Sequence, residues 1–261
     1  MAAPAPVSAL LHAVAVVKAG AYGILRVVHD IYGAGTVADL GLGLPLAFLA
    51  SATILYGSLR AVMQNDIKKR LAYSTVSQVS YIVLGASLAG PIAAVGALVH
   101  LVHQGIMKIT LFMCAGALAN RLHIKAVTEL DGAGRLMPVT MASFTIGALG
   151  MIGVPPVAGF ISKWYLGSGG LEAGDAWVIA VLAGSSLLNS AYFLPLLYRA
   201  WLLPPQGDHA PVAELTGGWN RMLVLPAAVT ALASLGAGLF ASFPFSPLEW
   251  VSLIVDAGYL R

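Results

Sequence analysis

Residues 98–113 read LVHLVHQGIMKITLFM, and the stretch carries two histidines and a lysine among side chains that are almost all apolar. Its apolar character is typical of a membrane-spanning helix, which needs ~20 mainly apolar residues. His100, Gln104 and Lys108 are spaced i, i+4 and i+8, so they share one helix face, with His103 slightly to the side. A charged lysine at the bilayer centre costs at least ~2.5–3.5 kcal/mol on insertion scales. The stretch therefore predicts a transmembrane helix with a functional polar row.

The whole chain has the composition of a polytopic membrane protein. Of its 261 residues, 59% are hydrophobic and only 10% are charged, against ~25% in soluble domains, and its mean hydropathy is +0.85. The basic residues behind the net charge of +3 mostly flank apolar runs instead of forming one patch, which argues against a nucleic-acid partner. The single cysteine, Cys114, excludes an intrachain disulfide. The N-terminus lacks the charged region of a signal peptide.

Seven apolar runs predict seven transmembrane helices, because an open sheet cannot be accommodated in lipid. We therefore predict an all-α, polytopic transmembrane helix bundle of about seven spans. The predicted spans cover residues 5–27, 43–63, 71–90, 92–119, 137–166, 176–199 and 221–243. The tail beyond residue 243 is too short to span and is expected at the membrane interface.

The fifth predicted span contains GVPPVAGF, residues 153–160, which a regular helix cannot accommodate. Gly153, Pro155, Pro156 and Gly159 thus predict a helix that is broken at membrane depth. Such a break is tolerated where it is buried in protein or lines a cavity, and discontinuous helices form ion and substrate sites in transporters. A simple proline kink is the alternative interpretation.

The loop charges predict the orientation of the chain in the membrane. The loops after the second, fourth and sixth spans are rich in Lys and Arg, whereas the opposite loops contain few basic residues. The positive-inside rule then puts the N-terminus in the cytoplasm and the C-terminus outside. We expect a multi-pass protein of the cell's inner (plasma) membrane, and seven spans agree with this parity.

Half of the six lysines lie inside predicted spans. Removal from water favours the neutral amine of a lysine, which can then take up and release a proton, and histidine titrates near neutral pH unaided. The candidates for a proton relay, with Gln104 as a bridge, are Lys18, Lys108, Lys163, His12, His100 and His103. For each of them, a structural hydrogen bond between helices or a side chain that reaches the interface is the alternative.

All eleven carboxylates lie outside the predicted spans. Buried charges are normally paired, so either the buried lysines are mostly neutral or their counter-charges come from elsewhere. The sequence therefore suggests a unit that is completed by another chain or by upstream sequence.

Four stretches carry a resemblance to a known family. In chain order they read APVSALLHAVAVVKAGAYGILR, NDIKKRLAYSTVSQVSYIVLG, HLVHQGIMKITLFMCAGAL and GVPPVAGFISKWYL. Together, over about residues 4–201, they resemble the antiporter-like membrane subunits of NADH:quinone oxidoreductase, Mrp-type sodium/proton antiporters and membrane-bound hydrogenases. The SKWYL form and the tail are most similar to the D-type Mrp subunit.

The resemblance implies a fold of about fourteen helices with two inverted five-helix repeats, each containing a broken helix. Residues 1–28 would be the last helix of the first repeat, and residues 43–200 the second five-helix repeat. Residues 201–261 would hold a loop, a final transmembrane helix at 221–243 and a tail. The family's buried glutamate and a further lysine would then lie upstream of Met1.

The resemblance also implies roles for single residues. By position, five side chains match ionisable or histidine positions of the family's central axis: Lys18, Lys108, Lys163, His12 and His100. Gln104 departs from the pattern, because many members have a histidine there. An amide cannot titrate, so a relay from His100 to Lys108 would need water or His103.

The predicted function is translocation of protons, with sodium/proton antiport as a variant, by a subunit of a multisubunit Mrp-type antiporter or respiratory complex. The expected partners are other membrane subunits of that complex, the lipid bilayer and the transported cation. Two alternatives are a stand-alone secondary transporter of a small solute and a truncated, inactive structural remnant. No P-loop, GxSxG or dinucleotide fingerprint occurs, and no Cys or carboxylate joins His100 and His103 in a metal-ligand cluster. We therefore expect no metal, no cofactor and no enzyme activity in the chain itself, while the parent complex can be a redox-driven NADH:quinone oxidoreductase.

Overall fold

The structure is a computed structural model and describes residues 7, 11, 15–205, 214 and 218–259. These residues form helices, turns and loops, with no strand among them. The helices are α1 (Val16–Arg26), α2 (Ala34–Asp39), α3 (Gly43–Val62), α4 (Ile67–Ser87), α5 (Pro91–Arg121), α6 (Ala133–Leu136), α7 (Pro138–Ile152), α8 (Ala158–Glu172), α9 (Trp177–Leu202), α10 (Gly218–Leu239) and α11 (Pro247–Tyr259). A π-helical segment at Val27–Tyr32 extends α1, and a 3₁₀ turn lies at Val127–Glu129. The predicted all-α class is confirmed.

Four helices are long and apolar enough to cross a membrane: α3, α5, α9 and α10 from Arg221 onwards. α4 is also 21 residues long, but Lys68, Lys69 and Arg70 in its first turn and its many serines lower its hydropathy. α7 and α8 have 15 residues each and together occupy the fifth predicted span. The seven predicted spans thus correspond to α1, α3, α4, α5, α7 with α8, α9 and α10. The chain is a multi-pass membrane protein.

The predicted break separates α7 from α8. α7 ends at Ile152 because Gly153 adopts a left-handed conformation with φ +94°, which glycine adopts at little cost. The chain is helical again from Ala158, so the break is shorter than residues 153–160 and Gly159 lies in the first turn of α8. Gly159 is needed there for a different reason, since a Cβ at this position would collide with the carbonyl of Gly150.

α5 is the central helix of the bundle. Its 31 residues pack against α4, α7, α8, α10 and α11. Small residues allow these helices to approach closely, as is usual between membrane helices. A Cβ on Gly96 would lie 2.7 Å from the backbone nitrogen of Leu166 in α8, and one on Gly169 would lie 2.5 Å from that of Ala93. The close packing buries both faces of α5, including its polar row.

Three loops meet at one end of the bundle. The backbone of Val127 donates to Asn65 at 2.8 Å, Ile67 donates to Lys125 at 2.9 Å, and Gly132 donates to Arg199 at 3.1 Å. Arg199 also forms an ion pair with Asp131. The loops that the sequence identifies as rich in basic residues therefore lie on the same side of the bundle.

Two carboxylates at this end hold backbone N–H groups. Glu129 accepts from the N–H groups of Ala126 and Lys125, and these hydrogen bonds lower the pKa of its carboxyl. Glu214 is buried and accepts from the N–H groups of Val139 and Thr140, both at 2.8 Å, and from the Thr140 hydroxyl. It therefore caps the N-terminus of α7, where the helix dipole favours a negative charge.

The tail forms the amphipathic helix α11. One face, with Leu248, Val251 and Val255, packs against Ala94 and Val95 of α5 and buries an apolar cluster. Its opposite face exposes large apolar side chains, among them Trp250, Leu253 and Ile254. Thirteen residues would span only about 20 Å as a helix, which is too short to cross a bilayer. Its location at the membrane interface stays a prediction.

Candidate functional site

Lys108 lies in the middle of α5 and is completely buried. Thirteen residues separate it from the nearer helix end, about 20 Å at the α-helical rise, so its side chain cannot reach the interface. Its Nζ donates to the carbonyl of Leu71 at 3.1 Å and to the hydroxyl of Ser74, both on α4. These two oxygens on the face of α4 supply the polar contacts that a buried ammonium or amine requires.

Lys18 approaches α5 from the opposite side. Only 6% of this residue is exposed, and its Nζ donates to the carbonyl of Leu101. The ammonium group lies against Gly105, where an added Cβ would collide with it. Gly105 is next to Gln104, so Lys18 reaches the backbone of the helix that carries the polar row.

Lys163 joins the two halves of the broken helix. It lies on α8, and its Nζ donates to the carbonyls of Met151 at 3.0 Å and Ile152 at 2.8 Å, and to Ser186 Oγ at 2.9 Å. The two carbonyls are at the C-terminus of α7, where helix carbonyls lack intrahelical partners and the dipole is negative. A cation is favoured at such an end, so the break creates the binding site for the lysine that follows it.

His100 lies between these lysines. It is fully buried, and its Nδ1 is 2.8 Å from Ser162 Oγ, which lies one residue before Lys163. Its ring centroid is 5.2 Å from that of Tyr81, and the Lys163 Nζ is 5.5 Å from the same Tyr81 ring. His100 also interacts electrostatically with Lys163 and Lys18. The histidine therefore connects the half-helix break to the centre of α5.

Two glutamines lie between the contacts of α4 with α5. Because Ser74 meets Lys108 and Tyr81 meets His100, the two helices run antiparallel and place Gln78 and Gln104 at intermediate levels. Both are completely buried, and none of their side-chain polar atoms has a hydrogen-bond partner among the described residues. Buried amides are normally satisfied, so we expect ordered water to bridge them.

The remaining sequence candidates divide into two cases. His103 is buried and lies against the backbone of Ala158, the first residue of α8. His12 falls outside the described residues. Among the described residues, no carboxylate forms an ion pair with Lys18, Lys108 or Lys163.

Several residues of this site were missed by the sequence analysis. The polar partners of the candidate residues are Leu71 O, Ser74, Gln78, Tyr81, Ser162 and Ser186. The one usable signal was the i, i+4 spacing of Ser74 and Gln78, which matches the spacing of Gln104 and Lys108. That signal is hidden in a segment where hydroxyl residues occupy every face.

The sequence of the site matches a known transmembrane family. Residues 1–189 match the family described as NADH:quinone oxidoreductase/Mrp antiporter, TM. The chain belongs to this family.

Relatives within the NADH:quinone oxidoreductase/Mrp antiporter family are subunits of larger complexes. The chain is 40% identical over 240 residues to NADH-quinone oxidoreductase subunit N of Desulforudis audaxviator, covering 90% of this chain and 47% of that protein. It is 29% identical over 255 residues to the D-type subunit of the Na(+)/H(+) antiporter of Bacillus subtilis, covering 98% and 49%. The chain spans about half the length of these curated relatives. The resemblance to the family is confirmed, and the finer assignment to the D-type Mrp subunit stays a prediction.

The family fold is also found in a solved structure. A chain of the membrane-bound sulfane sulfur reductase, an archaeal respiratory membrane complex, superposes with a TM-score of 0.81 at 26% identity, covering 99% of this chain and 50% of that one. The arrangement of α1 to α11 is therefore that of a family member.

Proposed function

We propose that this chain is a membrane subunit that moves protons along the buried row of lysines and histidines. The supporting observation is that Lys18, Lys108 and Lys163 each place Nζ on oxygen acceptors inside the bundle, while no described carboxylate pairs with them. A lysine that is held by neutral oxygens alone can be either charged or neutral, because no fixed anion locks its proton in place.

Electrostatic repulsion provides the coupling between the basic groups. Two unit charges ~10 Å apart at an effective dielectric constant of ~20 repel by about 1.7 kcal/mol, which lowers the proton affinity of the second site roughly tenfold. A proton that arrives at Lys18 therefore favours release from its neighbours, and His100 lies within electrostatic range of both Lys18 and Lys163. Water between Gln78 and Gln104 would carry the proton past the two amides, which cannot titrate.

The chemistry of the row favours protons over sodium. The ionisable groups on the described row are amines and imidazoles, which bind protons directly. Sodium favours oxygen ligands, and the oxygens nearest the three lysines are already engaged as acceptors from Nζ. His12, which lies outside the described residues, would extend the row beyond Lys18.

The family context supports a role within a complex. The relatives are named as subunits of an oxidoreductase and of an antiporter, so we propose that other membrane subunits are the partners of this chain. The three loops that meet at the basic end support an orientation with that end in the cytoplasm of a plasma-membrane protein, the N-terminus inside and the C-terminus outside. The division into residues 1–28, 43–200 and 201–261 as parts of two repeats stays a prediction.

The test compares a buried lysine with an exposed one in the assembled complex. Lys108→Ala is expected to reduce proton flux at least tenfold in membrane vesicles, whereas the exposed Lys125, changed to alanine, should leave flux unchanged. Flux is measured with a pH-sensitive dye, and immunoblots of the membranes control for insertion. Wild-type flux in fully inserted Lys108→Ala would refute the proposed function.

A further inference from the structure

Lys108 and Lys163 lie on different helices and share no direct contact, yet hydrogen bonds connect them through α9. Asn189 on α9 is completely buried, and its Nδ2 donates to the carbonyl of Met151 at 2.9 Å. The same carbonyl accepts from Lys163 Nζ at 3.0 Å. One oxygen at the broken end of α7 therefore serves both the lysine and the asparagine.

The connection continues from Asn189 towards Lys108. Tyr192 is also completely buried, and its hydroxyl donates to Asn189 Oδ1 at 2.7 Å. On its other side the Tyr192 hydroxyl interacts with Ser74, the hydroxyl that accepts from Lys108 Nζ. The path runs from Lys108 through Ser74, Tyr192 and Asn189 to the Met151 carbonyl and then to Lys163.

The chemistry of each member limits what the path can do. The hydroxyls of Ser74 and Tyr192 both donate and accept, so each can reverse its direction when Lys108 gains or loses a proton. Asn189 cannot titrate, and its amide holds fixed donor and acceptor ends. The path therefore transmits a change of hydrogen-bond direction and position, and no proton crosses the amide.

We propose that Asn189 and Tyr192 are positioning residues that couple the charge state of Lys108 to that of Lys163 across the helix break. The inference rests on the proposed function and names the residues that link its two ends. When Lys163 is charged, it draws the Met151 carbonyl towards itself and competes with Asn189 for that oxygen. The response of Asn189 then moves the Tyr192 hydroxyl and, through Ser74, changes the acceptor available to Lys108. A chain of buried hydrogen bonds without a carboxylate responds strongly because the local dielectric is low.

α9 supplies a matched control. Ser190 follows Asn189 directly, but its hydroxyl donates to the Ser186 carbonyl within the same helix and takes no part in the path. Ser190→Ala removes one buried hydroxyl from the same helix without touching the connection. Tyr192→Phe removes a single oxygen and leaves the ring in place.

The experiment measures proton flux of the assembled complex in membrane vesicles from pH 5.5 to 9, which brackets the pH range where a desolvated lysine and a histidine titrate. Tyr192→Phe and Asn189→Leu are each expected to lower the maximal flux about tenfold and to shift the midpoint of the pH profile. The double variant should be no worse than the more impaired single variant, because both changes break the same path. Ser190→Ala should retain the wild-type profile.

The outcomes separate this inference from the proposed function. Wild-type flux and pH profile in Tyr192→Phe would overturn the coupling, and so would multiplicative losses in the double variant. Lys108→Ala in the same vesicles decides the proposed function independently, since it must be inactive even if Tyr192→Phe is not. If Asn189→Leu does not assemble, Tyr192→Phe and Ser74→Ala give the same comparison with conservative changes.

Discussion

Gly238 closes the break in the membrane helix from outside, and substituting it tests how tightly that break is held. α10 packs its Gly238 on the backbone of residues 156–158. A Cβ at this position would collide with the Pro156 carbonyl and would lie 2.7 Å from Val157 C and 2.8 Å from Ala158 N. All three are backbone atoms, which cannot turn aside as a side chain can. Since carbon atoms prefer separations of 3.5–4.0 Å, α10 would have to move by roughly 1 Å.

Gly236 provides the comparison, because a Cβ there would meet nothing within 4 Å. Both Gly→Ala changes add the same methyl group to the same helix, so the gain in helix propensity is similar in the two variants. The difference between them isolates the collision, which we expect to cost about 1–3 kcal/mol, the usual range for overpacking. With about 2–4 °C per kcal/mol for a chain of this size, Gly238→Ala should unfold several degrees below Gly236→Ala.

The assay is thermal unfolding of the purified complex in detergent, followed by proton flux in vesicles. Gly238→Ala is expected to lose flux together with stability, because the displaced break carries the carbonyls that hold Lys163. Equal unfolding temperatures and equal flux for the two alanine variants would show that α10 does not hold the break, and the reasoning would be wrong.

Two further predictions concern the lysine row and the cap of α7. Gly105→Ala should displace the Lys18 ammonium that lies against it and reduce proton flux severalfold in vesicles, whereas Gly20→Ala, with nothing within 4 Å, should not; equal flux would contradict this placement of Lys18. Glu214→Gln should lower the free energy of unfolding by about 0.5–2 kcal/mol, because the helix N-terminus loses its charged acceptor. Thermal unfolding measures this loss, and an equal loss for the exposed Glu172→Gln would argue against the cap.

The amino-acid sequence was sufficient for the class of fold and for the positions of the buried basic residues. Long apolar runs need a lipid environment, and a lysine such as Lys108 in the middle of one cannot reach water from any helix orientation. Two prolines after Gly153 cannot continue a helix, so the break was predictable within a few residues. Only the end of the break was misplaced, because Gly159 was interpreted as a helix breaker although its role is to permit a close backbone approach.

The partners of the lysines were decided by the tertiary structure alone. Lys163 binds the carbonyl of Met151, and Lys108 binds Ser74, which is 34 residues away in the chain. In a soluble helix, the apolar face shows which side is buried, but in a membrane both the lipid-facing side and the core-facing side are apolar. Hydrophobic periodicity therefore could not show which face of α4 or α9 meets α5. Close backbone packing at small residues decided it, and with it which hydroxyls and amides the buried lysines contact.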